Sequence, residues 1–325
     1  MCKFSAWMST LVIAASSVVA CPATPMADTW PQRPVRLIVP TGAGATLDVS
    51  ARLFAERLAE RWKQPVVIEN RPGADGLTAA AAFASSRDDH TLLFSFAAPV
   101  SVFPALHAKL PYDPRRDMVP ISWVLDNYVL VAASSSLKVE SLQELVKVAR
   151  SQPGKLNYNA SAGALPYVFG DFLKRTGLDM VLVSYREAKL AFQDLTEGRI
   201  HVMYLPLTAA VPLAKTGKVR LLAVTNGKRA PMTPEIPTAV EAGFPEFIYE
   251  AANGIFGPRD IPAERRDRIA ADLRAVAAEP DLVSRLLAIG QPARGTTPAE
   301  FASALEEQRA KMEALVKALG KPQGQ

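Results

Sequence analysis

The sequence predicts an α/β protein with two lobes and a ligand cleft between them. Three observations lead there. From Arg33 onward, strand-like and helix-like patterns alternate, which implies a mostly parallel sheet with helices on both faces. A unit of strand, small-residue turn and helix occurs twice, at "LIVPTGAGATLD" and at "NYNASAGALPYVFGDFL", so two half-sites can face one cleft. Finally, the strand-like "NGIFGP" comes late, ahead of a helical tail, so the chain returns to the first lobe near Asn253 and the lobes share two crossovers, a hinge.

In chain order, the apolar run Leu37 to Val39 is a strand, and apolar residues at Ala51, Phe54, Ala55, Leu58 and Trp62 keep helical spacing after it. "PVVIEN" and "TLLFSF" are strands on either side of a small-residue helix from Leu77 to Ser85. "ISWVL" and "YVLVAAS" are strands almost back to back. A second alternating set follows: a helix in "SLQELVKVARS", the strand "LNYNA", a helix from Tyr167 to Thr176, the strand "MVLVSY", a helix from Leu190 to Glu197, and the strands "HVMYL" and "VRLLAVT". In the tail, Thr297 is an N-cap, Pro298 takes the first helical position, Glu300 closes a capping box and Gly320 ends the helix.

The N-terminal residues carry Lys3, an apolar segment from Leu11 to Ala20, and then small residues and prolines, which reads as a signal peptide of about residues 1–27 that is too short for a membrane span. Cleavage after Ala27 is expected, and Pro22 favours it; the alternative is a lipoprotein-type cut before Cys21, leaving a lipid anchor there. Because Cys2 and Cys21 both lie in or beside this segment, the exported domain is expected to hold no disulfide. A net charge of +5 spread along the chain, with no basic stripe, lacks the footprint of nucleic-acid binding and suits a small anion.

Glycine turns after a strand aim backbone N–H groups and a positive helix end at an anion. "GAG" imitates a dinucleotide fingerprint, but Leu47 stands where the third glycine belongs and Asp48 would repel a pyrophosphate. Ser135 and Lys138 have a serine-nucleophile spacing that is common by chance. His90, His107 and His201 are isolated from one another, and Asp88 and Asp89 beside His90 read as a turn, so no metal, no cofactor and no catalytic residue are expected.

From about Trp30 to Gly320 the sequence resembles the extracytoplasmic solute receptors of tripartite tricarboxylate transporters, the Bug family. The resemblance rests on "WPQRPVRLIVP", "QPVVIENRPGADG", "LPYDPRRDMVPIS", "PGKLNYNASAG", "PTAVEAGFPE" and "LLAIGQPARGTTPAEF", in that order. It implies a type II-like periplasmic binding protein that closes on a small organic acid and delivers it to the membrane components of a transporter, working as a monomer. It implies no nucleic-acid partner. Lobe one is expected at residues 28–126 with 252–325, and lobe two at 127–251. Sensing for a signalling partner, or an exported enzyme using the same cleft, are the alternatives.

Carried onto this chain, the resemblance implies that Thr41, Gly42, Ala43, Gly44, Ala45, Thr46 and Asp48 form one carboxylate-binding loop and Ser161, Ala162 and Gly163 the other. Phe96, Ala97, Leu165, Tyr185, Glu187 and Leu205 would complete the pocket. Several positions depart from the family pattern. Thr41 replaces an aromatic residue, Ala45 a glycine, Glu187 a glycine and Leu205 an aspartate. Glu187 is therefore expected either to pair with Arg186 or Lys189 and turn outward, leaving an apolar-walled site for a monocarboxylate, or to face in and select a ligand with a positive group. Leu165, Phe96 and Leu205 favour the first.

Overall fold

The computed structural model describes residues 30–161 and 163–320; the expected signal segment with Cys2 and Cys21, and Ala162, lie outside the described residues. In chain order the elements are β1 (Val35–Val39), α1 (Thr46–Trp62), β2 (Val66–Asn70), α2 (Leu77–Ser85), β3 (Thr91–Phe96), the one-turn helices α3 (Ala98–Ser101) and α4 (Phe103–Leu106), and β4 (Val119–Asn127). Then come β5 (Val129–Ser134), α5 (Leu142–Ser151), β6 (Asn157–Ala160), α6 (Leu165–Thr176), β7 (Val181–Leu182), α7 (Ala188–Thr196), β8 (Val202–Pro206), α8 (Leu207–Ala214) and β9 (Val219–Val224). The chain closes with β10 (Ala251–Gly257), α9 (Ala263–Ala277), α10 (Pro280–Ala288) and α11 (Pro298–Leu319).

These strands form two five-stranded sheets with matching topology, β2-β1-β3-β10-β4 and β7-β6-β8-β5-β9. In each, a parallel trio is followed by one reversed strand: β10 is antiparallel to β3 and β4, and β5 to β8 and β9. The reversal has a simple cause. β5 and β10 are the strands that arrive from the opposite lobe, so they enter their sheets from the cleft side, where the parallel strands end. The strand expected over "MVLVSY" shrinks to two residues at an exposed sheet edge.

Each sheet buries one apolar set per face. In the first lobe Ile38, Phe83, Leu93 and Phe256 pack with Phe301 and Leu305 of α11. In the second, Val131, Tyr158, Phe169 and Tyr204 pack with Met312 and Leu315 of the same helix. Thus α11 joins both cores, and the stretch assigned from sequence to the first lobe alone contributes to the second as well. Its capping box forms, with Thr297 accepting from the Glu300 N–H at 3.2 Å and Glu300 accepting from the Thr297 N–H at 2.8 Å. Phe172 and Phe247 stack at 4.2 Å and seat the second crossover against lobe two. No helix among the described residues is long and apolar enough to cross a membrane.

Candidate ligand cleft

The loops that follow β1, β2 and β3, those that follow β6 and β8, and the two crossovers all meet between the lobes, at the strand ends where open α/β sheets bind ligands. Two cavities lined by described residues lie in this region. The larger, about 320 Å³, takes Asp75, Phe96, Ala98 and Phe103 from lobe one, Ser161, Gly163, Leu165 and Pro206 from lobe two, and Asn127, Val129, Tyr249 and Ala251 from the crossovers. The second, about 250 Å³, lies between Thr46 and Leu287–Gly290 on one side and Leu207, Thr208, Val211, Pro212 and Met232 on the other.

On the lobe-two side of the larger cavity, α6 opens with Leu165 and Pro166. The N–H groups of Gly163 and Ala164 donate to no described residue, Gly163 takes φ +79 in a left-handed turn, and both residues line the cavity. These donors and the positive end of a twelve-residue helix suit an oxyanion. Ser161 supplies a hydroxyl beside them, its own N–H being held by the Tyr204 carbonyl at 3.0 Å.

The glycine loop of lobe one is organised differently. Asp48 is buried on α1, and its carboxylate accepts from the Gly44 N–H at 2.8 Å, Asn70 Nδ2 at 2.7 Å and Arg52 Nε at 2.9 Å. Asn70 also donates to the Thr41 carbonyl at 2.8 Å. Burial would raise the Asp48 carboxyl, but the bonds from Arg52, Asn70 and Gly44 outweigh it and hold the group below the usual carboxylate range. Asp48 is therefore the organiser of the loop, because one of the loop's amides and all of its own charge are already committed. Thr46 lines the second cavity, and neither it nor Thr41, Gly42, Ala43, Gly44 and Ala45 lines the first.

Other expected positions divide. Phe96, Ser161, Gly163 and Leu165 line the larger cavity together. Ala97 is buried in the lobe-one core, and its flanking residues Phe96 and Ala98 reach the cavity instead. Tyr185 packs against the core beneath β8 and donates its hydroxyl to Asp194 at 2.5 Å; burial first, and then this bond, push the phenol up to about 12. Leu205 is fully buried among Leu130, Leu195 and Met203, since the two-residue strand period turns it to the sheet face away from Tyr204, and Pro206 is the cavity residue. Glu187 is exposed at the N-cap of α7, makes no capping bond and forms no ion pair with a described residue, so the expected pairing with Arg186 or Lys189 is not formed. Sequence reasoning missed Asp75, Asn127, Phe103, Pro206 and Tyr249.

Groups elsewhere that resemble catalytic or metal sites are already engaged. The ligand atoms of Asp88, Asp89 and His90 lie within 4.8 Å of one another. However, Arg33 bonds both carboxylates and Arg265 bonds Asp89 at 3.0 Å, so guanidinium ions neutralise this corner. Ser135 donates its hydroxyl to the Gly217 carbonyl at 2.9 Å, and His201 Nδ1 accepts from the Asn157 N–H at 2.9 Å.

A family model described as the tripartite tricarboxylate transporter family receptor matches residues 50–321. BugT of Bordetella pertussis is 32% identical over 252 residues, which is 76% of this chain and 77% of BugT. Among solved structures, Rpa4515 of R. palustris with adipate is 31% identical with TM-score 0.77, over 90% of this chain and 98% of that one. MatC of Rhodopseudomonas palustris with bound malate is 29% identical with TM-score 0.71, over 88% of this chain and all of that one. With two lobes of this topology and a match over most of its length, the chain belongs to the tripartite tricarboxylate transporter receptor family.

Proposed function

We propose that the protein is a periplasmic receptor that captures a small organic carboxylate between its lobes and hands it, unchanged, to the membrane components of a tripartite tricarboxylate-type transporter. The observation that carries this reading is the larger inter-lobe cavity, in which the free amides of Gly163 and Ala164 and the hydroxyl of Ser161 meet a wall of Phe96, Phe103, Leu165 and Pro206. Donors on one side and apolar surface on the other fit a carboxylate with a hydrocarbon body. Structures of relatives with adipate and with malate support the carboxylate class. Among the described residues no lysine or arginine lines the cavity, which favours a monocarboxylate over a second oxyanion. Residues 1–27 act as the export signal in this reading. Residues 28–126 with 252–325 and residues 127–251 form the lobes of a monomer, and closure brings the loop Thr41–Thr46 over the ligand.

Isothermal titration against a panel of organic acids, with product analysis of each mixture, tests it. Saturable binding of a carboxylate recovered intact is expected, together with slower uptake of that compound in a strain lacking the chain. Conversion of the bound compound would replace the receptor with an enzyme. Unchanged uptake would move the reading to sensing.

A further inference from the structure

Asp75 is the one charged side chain among the described residues that line the larger cavity. It stands in the turn between β2 and α2, where four consecutive residues take positive φ: Gly73 at 129°, Ala74 at 46°, Asp75 at 52° and Gly76 at 98°. For Ala74 the left-handed region is strained, at about 1 kcal/mol or more, whereas aspartate tolerates it, and strain of this kind concentrates at functional loops. Gly76 at the end of the turn is buried, and a Cβ there would meet Pro40 at 3.4 Å and Phe96 at 3.7 Å, so the turn seats beside the cavity wall while the Asp75 side chain stays exposed at its mouth.

No side chain among the described residues pairs with this exposed carboxylate. Asp75 makes no side-chain hydrogen bond or ion pair with any described residue, and it lines the cavity. Three further polar groups in the same wall also lack side-chain partners among the described residues: the Asn127 amide, the Ser161 hydroxyl and the Tyr249 hydroxyl. Phe96 and Phe103 complete the wall with aromatic surface, which accepts an alkyl chain and tolerates an ammonium group. An anion donor set at Gly163 and Ala164, an apolar middle and an unpaired carboxylate make a site with two opposite polarities.

We infer that Asp75 is a specificity-determining residue that selects a carboxylate bearing a cationic group, an amino carboxylate with an apolar stem, and disfavours a dicarboxylate. This inference rests on the receptor reading. A second carboxylate placed near Asp75 meets like charge, whereas an ammonium gains a charge-assisted bond there. The positive-group alternative drawn from Glu187 is thereby met by a different residue, on the other lobe.

The test is calorimetric titration with matched triads, caproate, adipate and ε-aminocaproate, and the corresponding mono-, di- and ω-amino acids from propionate to octanoate length. The wild-type protein should prefer the amino member of the best-bound triad to the dicarboxylate. Asp75→Asn, which keeps an αL-tolerant residue at this turn, should lower that preference about tenfold, the scale of one charge-assisted hydrogen bond. Asp75→Gly, free of αL strain, should do the same, which separates loss of charge from loss of fold. Raised salt should erode the wild-type preference more than that of the variants. A wild-type preference for the dicarboxylate, or a ratio unchanged in both variants, would overturn the inference and leave the receptor reading standing. No saturable binding by any member of any triad would overturn both.

Discussion

Arg294 donates to Asp126 at 3.0 Å, at the end of the last strand before the first crossover, and its guanidinium also lies 3.4 Å from Glu250, just ahead of the second crossover's strand. One side chain, stacked 3.9 Å over the ring of Trp123, thus ties together both passages between the lobes. Burial pushes the Asp126 carboxyl up, and Arg294 pulls against it. Arg294→Ala should therefore destabilise the fold by about 1–2 kcal/mol, an ion-pair loss reduced for the partial exposure of Arg294. The sign with pH follows from the raised group. A carboxyl lifted above its unfolded value binds more protons when folded, so its stabilising contribution is present at low pH and lost as pH rises through the folded value. Without Arg294 that rise is larger, so urea midpoints should show a bigger penalty at pH 8 than at pH 5. An equal penalty at both would mean that Asp126 is not the group left exposed to the loss.

Asp48 predicts the opposite slope. Its carboxyl is held below the ordinary value of 3.8, so the stability it contributes is present above that value and is lost as pH falls through the folded one. Asp48→Ala leaves the Gly44 N–H, Asn70 and Arg52 without their acceptor and should cost about 2–3 kcal/mol in urea unfolding. The variant should also lose the steepening of acid denaturation below pH 4 that this group adds to the wild type. Ligand affinity should fall with the loop's order, although Asp48 lines neither cavity.

Leu205 and Glu187 separate what one chain can say from what it cannot. The alternation of elements, the helix Leu77–Ser85, the strand Thr91–Phe96 and the capping box of α11 were legible, because periodicity and cap chemistry are local. The phase of a strand against its neighbour is not local. Pairing Leu130 with Leu205 decides that Leu205 points into the core, and a single-residue shift would have reversed it. Asp75 carried a signal that went unused: a charged residue in a glycine-flanked loop at the carboxyl end of a parallel strand belongs on the cleft side. Which loops share a cavity depends on how the lobes approach, and no segment records that alone.

The same two positions give a prediction. Leu205→Asp buries an unpaired charge beneath β8 and should destabilise by about 3–5 kcal/mol, enough to remove most folded protein. Leu205→Ala, which only opens space, should cost about 2–4 kcal/mol and retain binding. Glu187→Gly, at an exposed helix start, should shift ligand affinity less than twofold in calorimetry. A stable Leu205→Asp protein with altered ligand preference would return that position to the binding site.

The contact between Gly254 and Phe301 controls how α11 meets the first sheet. A Cβ at Gly254 would fall 2.2 Å from Phe301 Cζ and 3.0 Å from the Ser122 carbonyl. Glycine in the middle of β10 is thus required by the close approach of an aromatic ring, not by the strand's own conformation. Phe301 is fully buried and its ring centroid lies 5.2 Å from that of Phe256 in a tilted contact, so it has no empty space to enter. Gly254→Ala should force it off its seat at a cost of about 2–3 kcal/mol, while Phe301→Ala in the Gly254→Ala background should recover part of that loss by making room. Because the far end of α11 carries Met312 and Leu315 into the second core, the damage should cross the hinge. Hydrogen exchange at β8, remote from Gly254, should quicken along with exchange at β3. Exchange that quickens in β3 and β10 alone would show that α11 transmits nothing between the lobes.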